Sequence, residues 1–335
     1  MSRIALTGIK PTGTPHLGNY LGAIEPGLAL AERSDVQAYY FIADYHALTT
    51  IRDREELVRL TREVAATWLA FGLDPDRVVF YRQSDVPELF ELSWVLACMC
   101  PKGFMNKAHA YKACVQENEA AGVDPDAGVN MGLYTYPILM AADIVGVDAD
   151  LVPVGQDQVQ HVEIARDIVL RTNHAWGEGT LKLPEAMIRG EAAVVPGLDG
   201  RKMSKSYGNT IPCFEPTKRL RKTVMRITTD SLPPEAPKDP ETSLVYRIHS
   251  AMLSRPQAEE LAARYREGIA WGEAKQLLFE AIEERVAEPR ARYEELMAHP
   301  ERIDAALAAG AERARERARA VLGRVRETLG IAYSR

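Results

Sequence analysis

The stretch "RIALTGIKPTGTPHLGNYLGA", residues 3–23, decides the fold. Its first residues alternate apolar side chains and reach Gly8, a pattern that predicts a buried strand. Two prolines and a glycine then interrupt regular structure, and a helical pattern runs over residues 20–31. A bare, sharply turned backbone at the start of a helix is a place where phosphate binds, and the alternative is a plain β-to-α turn.

The same alternation of strand and helix continues along the first half of the chain. Apolar, β-branched and aromatic runs predict strands at "VQAYYFIAD" (36–44), "RVVFYRQSD" (77–85) and "ADLVPVG" (149–155). Amphipathic patterns predict helices at "DREELVRLTREVAATWLAFG" (53–72) and "DQVQHVEIARDIVLRTN" (157–173). Strands that alternate with helices over short loops predict an α/β fold with a parallel sheet.

The second half of the chain has a different composition. Residues 88–142 already read as mostly helical, with an interruption at 118–130, and no strand pattern is visible from residue 212 onward. We therefore expect a catalytic α/β domain over 1–201 with a helical insert at about 88–142, and an all-α domain over 202–335.

Composition excludes several classes of protein. The chain has 335 residues, of which 46% are hydrophobic and 26% charged, as in ordinary globular proteins. No run of about 18 apolar residues predicts a membrane helix, and the N-terminus lacks the apolar core of a signal peptide, so we expect a cytoplasmic protein without a membrane partner. The cysteines lack zinc-finger spacing and are expected to be reduced structural thiols: Cys98, Cys100, Cys114 and Cys213.

The strongest chemical signal is "RKMSKSYGN", residues 201–209. Lys202 and Lys205 stand three residues apart among small hydroxyl residues, an arrangement that suits the charge of a departing pyrophosphate. The alternative is a solvated linker that carries lysines.

These motifs together resemble a known family. "PHLGN" (15–19) and "KMSKS" (202–206) resemble the HIGH and KMSKS signatures of class I aminoacyl-tRNA synthetases. Within that class, "LYTYPILMAADI" (133–144) and "LVPVGQDQVQHVEIARD" (151–167) are similar to the tryptophanyl-tRNA synthetases. The resemblance implies a Rossmann-like catalytic domain and a tryptophan–tRNA ligase. In that reaction the carboxylate of tryptophan attacks the α-phosphate of ATP, and the tryptophanyl group then moves to the 3′-terminal adenosine of tRNA(Trp).

The resemblance also assigns the nucleotide site. It implies that His16 hydrogen-bonds phosphate oxygens, that Gly18 lets adenine lie against the backbone, and that Asp157 accepts from ribose hydroxyls. The catalytic residues that it implies are His16, Lys202, Ser204 and Lys205. The residues that it implies for ATP binding are Lys10, Pro11, Thr12, Gly18, Asn19, Gly155, Gln156, Asp157, Val194, Lys202, Met203, Ser204, Lys205 and Ser206.

The amino-acid site follows from the middle of the chain. Asp143 is an acidic residue in an apolar helical pattern, and the resemblance makes it the acceptor for the indole N–H; the alternative is a solvent-facing helix residue. His46 matches a pocket histidine, with a structural histidine as the alternative. The residues that the resemblance implies for tryptophan binding are Leu6, His46, Tyr136, Met140, Asp143, Val152, Val154 and Gln158.

Two positions depart from the bacterial pattern of the family. Leu6 stands where an aromatic residue is common, which removes stacking from the indole site. Lys10 stands where glutamine is common, and its charge would lie close to the carboxylate and the α-phosphate.

The remaining expectations concern partners. Residues 201–226 carry eight basic residues against Glu215 alone, although the chain has a net charge of −6, so this segment suits a phosphate backbone. The arginines of 313–326 alternate with acids and fit an ion-paired face at least as well. The resemblance implies a homodimer joined through the insert, anticodon recognition by the helical half, and Mg²⁺ with ATP. Because Cys213 is the one cysteine in that half, we expect no iron–sulfur cluster, and no zinc.

Two rival functions remain open on the sequence. The tyrosine enzyme shares the fold and both signatures, whereas "MAAD" and "VPVGQDQVQH" favour tryptophan. A synthetase-like protein that binds tryptophan or forms an adenylate without charging tRNA is the rival of another class.

Overall fold

One parallel sheet organises the N-terminal half of the protein. The computed structural model describes residues 2–11, 13, 15–188 and 195–331. Within these ranges the sheet has the order β3-β2-β1-β4-β5. Its strands are β1 Arg3–Ile9, β2 Val36–Ile42, β3 Val79–Arg82, β4 Leu151–Val154 and β5 Glu185–Ile188. The chain builds outward from β1 to β3 and then returns to the other side of β1, so the strand order reverses between β1 and β4. In open α/β sheets, ligands bind at such a switch point, beyond the carboxyl ends of the strands.

The helices occupy the positions that the periodicity predicts. The chain turns out of β1 into one continuous helix over residues 17–31, whose middle turn is a π-helix over Tyr20–Ile24. The α-helices in chain order are α1 Leu17–Asn19, α2 Glu25–Ala31, α3 Asp44–Ala47, α4 Arg54–Ala70, α5 Glu88–Met99, α6 Lys102–Met105, α7 His109–Ala120, α8 Met131–Gly146, α9 Val159–Trp176, α10 Thr217–Met225, α11 Leu244–Ser250, α12 Arg255–Glu267, α13 Trp271–Ala298 and α14 Pro300–Leu329. The sequence missed β5, because this four-residue edge strand is half exposed and lacks an apolar pattern.

The alternation of side chains along the strands separates two cores. Tyr39 and Phe41 of β2 point into a core that they share with α5, α8 and α9. Tyr40 and Ile42 point to the opposite face and pack with α4, where Trp68 is buried. Both faces of the sheet are therefore covered by helices, as a parallel sheet requires.

Helix α14 covers the outer edge of the sheet. It crosses β3 so closely that a Cβ on Gly310 would lie 1.8 Å from the carbonyl oxygen of Phe80. Beside it, the guanidinium of Arg313 donates to the backbone carbonyls of Pro75, Asp76 and Val78. An edge strand with unpaired backbone groups invites association with other chains, and α14 occupies this edge instead.

The arginines of α14 form the ion-paired face that the sequence left as one of two alternatives. Arg315 and Arg319 both contact Glu88, at 3.1 and 2.9 Å. Further along, Arg317 and Arg324 both contact Asp148, at 3.1 and 2.6 Å. These pairs join α14 to the α/β half, although the sequence places α14 within the helical half.

The other C-terminal helices, α10 to α13, surround a separate core. Leu220, Val245, Leu278 and Val286 are buried there. The same core takes in Leu17 from the start of the first helix and Met203 from the 201–209 loop. The two signature segments therefore meet at the junction of the two halves.

Candidate active site

A cavity of about 420 Å³ lies at the carboxyl ends of β1 and β2, against α3 and α8. We call it the Asp143 cavity. Its volume suits a small organic ligand. Of the eight residues that the sequence assigns to tryptophan, seven line it: Leu6, His46, Tyr136, Met140, Asp143, Val152 and Gln158. Val154 is not among the lining residues; it is 7% exposed and packs in the core of the sheet.

The carboxylate of Asp143 is the polar centre of this cavity. The residue is 1% exposed, so the solvent-facing alternative for it is wrong. The side-chain amide of Gln83 donates to Oδ1 at 2.8 Å and to Oδ2 at 2.9 Å. His46 Nε2 lies 3.0 Å from Oδ2. Burial raises the pKa of the Asp143 carboxyl, and the hydrogen bonds from His46 and Gln83 act in the opposite direction.

A second polar contact holds His46 and Gln83 in place. Asp44, at the start of α3, accepts from the backbone N–H of Ser84 at 3.0 Å and also from the hydroxyl of Ser84. This contact ties the segment after β2 to the segment after β3. The two donors to Asp143 therefore come from adjacent strand ends that are fastened to each other.

Tyr136 closes another wall of the cavity. Its phenol is hydrogen-bonded to Nε2 of His161, which also lines the cavity. The edge of the His46 ring meets the Tyr136 ring, with centroids 6.1 Å apart. The sequence analysis missed both His161 and Gln83. Gln83 had a usable signal, because "YRQSD" places it near the carboxyl end of a predicted strand, at the edge where the other site residues lie.

A smaller cleft of about 80 Å³ adjoins the first one. We call it the Lys205 cleft. Its lining includes Gly13, Asn19 and Lys205. Lys10 lines both spaces, and its Nζ donates to the hydroxyl of Thr49 at 2.9 Å. Burial lowers the pKa of Lys10. Lys10 therefore stands where the two spaces meet.

His16 caps the helix that follows β1. Its Nδ1 accepts from the backbone N–H of Asn19 at 3.3 Å, and the side chain of Asn19 accepts from the backbone N–H of His16 at 3.1 Å. Burial, and then the charge of Lys205, lower the pKa of His16 to about 4. The imidazole is therefore neutral at neutral pH. Because Nδ1 is an acceptor in the cap, the proton resides on Nε2, which is a donor.

The 201–209 loop lies directly on this helix start. Met203 is buried, and its sulfur accepts from the backbone N–H of Gly18 at 3.3 Å. Within the loop, Asn209 accepts from the backbone N–H of Ser204 at 2.8 Å, and the hydroxyls of Ser204 and Ser206 lie 2.8 Å apart. Burial lowers the pKa of Lys205. The loop is a hydrogen-bonded turn that brings one lysine to the cleft, although most of its residues, Lys205 included, are exposed.

The other residues assigned to ATP are less closely grouped. Pro11 is buried, whereas Lys202, Gly155 and Gln156 are exposed, and none of the four lines either space. Thr12 and Val194 lie outside the described residues, as does the side chain of Asp157.

The described residues contain no cluster of three or more His, Cys, Asp or Glu side chains that could hold a metal ion. None of the helices in the described ranges is both long and apolar enough to cross a membrane.

Comparison with known proteins agrees with this geometry. The family described as "tRNA synthetases class I (W and Y)" matches residues 2–287. A tryptophan–tRNA ligase of Pseudomonas aeruginosa is 53% identical over 99% of this chain and 74% of its own. A tryptophan–tRNA ligase of Neisseria meningitidis is 51% identical over 97% of both chains. The chain belongs to the tryptophanyl-tRNA synthetase family. The family, the α/β fold with its helical half, and the activity of a ligase are therefore confirmed.

A solved structure extends the comparison to three dimensions. The tryptophanyl-tRNA synthetase of Campylobacter jejuni, complexed with ADP and tryptophan, superimposes with a TM-score of 0.87. It is 42% identical and covers 98% of this chain and 99% of its own. The tyrosyl-tRNA synthetase of Archaeoglobus fulgidus shares the fold, with a TM-score of 0.64 at 19% identity.

Proposed function

We propose that this member of the tryptophanyl-tRNA synthetase family activates L-tryptophan in the Asp143 cavity with ATP bound at the Lys205 cleft. The observation that carries the proposal is the position of Lys10, which lines both spaces. A ligand carboxylate in the first space and a phosphate in the second would meet at this cation. The carboxylate oxygen attacks the α-phosphorus, the bond from that phosphorus to the bridging oxygen breaks, and pyrophosphate leaves.

The cavity supplies a matching group for each part of tryptophan. Leu6, Met140 and Val152 offer apolar walls to the indole ring, and Asp143 offers an acceptor to its N–H. By family resemblance, Tyr136 and Gln158, which also line the cavity, would hold the α-amino group. A buried acceptor discriminates strongly against side chains that leave it unpaired, which favours tryptophan over apolar side chains.

The nucleotide site relies on neutral and cationic donors. Neutral His16 would donate from Nε2 to phosphate oxygens at the start of the helix, where backbone N–H groups also favour anions. Lys202 and Lys205, with the hydroxyls of Ser204 and Ser206, would stabilise the charge on the departing pyrophosphate. Mg²⁺ would come with ATP and would neutralise part of the charge on its phosphates. By family resemblance, Thr12, Gly155, Gln156, Asp157 and Val194 complete the contacts to adenosine.

For tRNA(Trp), the basic surface of α10 is the better candidate. Its exposed cations make no ion pair within the described part of the chain: Lys218, Arg219, Arg221, Lys222 and Arg226. The arginines of α14 are already occupied by Glu88 and Asp148. Unpaired surface cations can replace the counterions of a phosphate backbone, whereas paired ones cannot do so without losing their partner. We also propose that the helical half recognises the anticodon.

For the homodimer, we propose the exposed side of α5 as the interface. Phe90, Trp94 and Cys98 follow each other at four-residue intervals and are all exposed. Trp94 is 72% exposed, which is unusual for so large an apolar side chain. We place the enzyme in the cytoplasm, where charged tRNA is used.

The test is ATP–pyrophosphate exchange with each of the twenty amino acids supplied separately. We expect exchange with tryptophan alone, and its loss by at least about 100-fold in Asp143→Asn, because the acceptor of the indole N–H loses its charge. Asp150→Asn, which changes a carboxylate paired with Lys182 outside the site, is the matched control. Exchange with tyrosine would contradict the assignment of the cavity.

A charging assay tests the second half-reaction. We expect tryptophanyl transfer to tRNA(Trp). Adenylate formation without transfer would instead favour a protein that activates tryptophan for another acceptor.

A further inference from the structure

A buried amide lies beside the carboxylate of the Asp143 cavity without lining that cavity. Gln83 follows β3 directly and is fully buried. Its Nε2 donates to both carboxylate oxygens of Asp143, at 2.8 and 2.9 Å. Gln83 is not among the residues that line the cavity. An effect of Gln83 on a ligand in the cavity would therefore pass through Asp143.

The orientation of this amide leaves one buried atom unsatisfied. Oε1 of Gln83 has no hydrogen-bond partner among the described residues. A buried unpartnered oxygen is unfavourable and rare in folded proteins. Rotation of the amide would not relieve it, because Oε1 would then face the two acceptor oxygens of Asp143. The contact with the carboxylate thus fixes Gln83 as a donor. The hydrogen bonds from Gln83 to Asp143 are formed although the Oε1 of Gln83 is left unpaired.

The hydrogen bonds to Asp143 leave one acceptor position of its carboxylate for a ligand. An ionised carboxylate offers about four acceptor positions, two on each oxygen. In the described structure, Oδ2 accepts from Gln83 and lies within hydrogen-bonding distance of His46, whereas Oδ1 accepts from Gln83. The position left over is on Oδ1. With three positions occupied by donors from two fastened segments, the carboxylate cannot rotate freely.

We propose that Gln83 is a specificity-determining residue that acts by positioning Asp143. It holds the carboxylate so that the remaining acceptor on Oδ1 receives a ring N–H, and the enzyme thereby selects an indole over an aromatic ring of the same size that lacks this donor. The proposal rests on the proposed function of the Asp143 cavity. It adds a residue outside the lining, Gln83, on which the recognition of the ring N–H by Asp143 depends.

The test compares tryptophan with β-(3-benzothienyl)alanine, in which sulfur replaces the ring N–H. ATP–pyrophosphate exchange gives kcat/KM for each, and the ratio of the two is the readout. We expect wild-type protein to favour tryptophan by at least about 100-fold. In Gln83→Met, which keeps the volume and removes both donors, we expect the ratio to fall at least about 10-fold. The fall should come from a higher KM for tryptophan, with the KM for ATP within about 2-fold of wild type.

The ratio separates positioning from a merely structural role. Loss of local structure would lower kcat/KM for both substrates and leave the ratio unchanged. Thr172→Val is the control, because it removes a buried hydrogen bond to the carbonyl of Ile168 outside the site. Its ratio should equal that of wild type.

The outcomes are distinguishable. If wild type discriminates and Gln83→Met discriminates equally, the role of Gln83 is refuted while the proposed function stands. If wild type itself does not discriminate, the assignment of Asp143 fails and the role of Gln83 fails with it. If Gln83→Met does not fold, Gln83→Asn withdraws the amide by one methylene group, and an unchanged ratio in that variant refutes the proposal equally.

Discussion

Gly310 is the point at which α14 touches the edge strand β3, and its replacement by alanine tests whether this helix holds the strand. A Cβ at this position would lie 1.8 Å from the carbonyl oxygen of Phe80 and 2.5 Å from its carbonyl carbon. Contacts of a real Cβ are essentially never shorter than 3.0 Å. The two backbones must therefore separate by about 1.2 Å before alanine is accommodated.

The magnitude follows from two opposing effects. Alanine favours the helix by about 1 kcal/mol relative to glycine. Overpacking of a close contact costs up to about 3 kcal/mol, and we expect the upper end because both contacting atoms belong to backbone. Gly310→Ala should thus lower the free energy of unfolding by about 2 kcal/mol. Gly323→Ala, on the same helix but with nothing within 4 Å of its Cβ, should raise it by about 1 kcal/mol.

The assay is urea unfolding of both variants and wild type, followed by circular dichroism, with the exchange reaction as a second readout. Because β3 leads directly into Gln83, a displaced strand should also raise the KM for tryptophan several-fold in Gly310→Ala. Gly323→Ala should keep the KM of wild type. If Gly310→Ala proves as stable as Gly323→Ala, α14 does not contact β3 at this residue, and the account of the covered edge is wrong.

Three further results are expected. Lys10→Gln should change the inhibition constants of compounds that mimic tryptophan, because it removes the cation between the two spaces; unchanged constants would refute this. Trp94→Arg should give monomers in light scattering, whereas dimers of unchanged stability would place the interface elsewhere. Burial lowers the pKa of His249 to about 4. Unfolded protein then binds more protons than folded protein between pH 6.5 and 4. The contribution of neutral His249 to the free energy of unfolding is therefore complete above pH 6.5 and is lost as the pH falls. His249→Leu should make the decrease in stability on acidification shallower by about 1 kcal/mol per pH unit, and an identical slope would contradict the neutral buried state.

Local patterns account for what the sequence could predict. Apolar runs predict strands β1 to β4, and amphipathic repeats predict α4 and α9. Both predictions are possible because the spacing of apolar residues within an element matches the period of its backbone. The chemical motifs are also local: His16, Gly18 and Asn19 lie within four residues, and the lysines of the 201–209 loop within another four. Seven of the residues expected at the amino-acid site do line one cavity, because strand ends of a parallel sheet meet at one edge.

Contacts between distant segments were decided by the tertiary structure. Gln83 and Asp143 are 60 residues apart, and the sequence of neither segment indicates that one donates to the other. Val154 is as apolar as Val152 and lies on the same face of β4, two residues further along, yet only Val152 lines the cavity; nothing in the strand itself distinguishes them. The sequence of α14 contains charged residues and a glycine, and these fit a solvated helix as well as a helix packed against the sheet. Only the fold brings Glu88 and Asp148 to its arginines and the Phe80 carbonyl to Gly310. The sequence by itself therefore determined the elements and the motifs, which depend on neighbours along the chain. The tertiary structure decided which groups are paired, buried or left to meet a ligand, because these properties depend on neighbours in space.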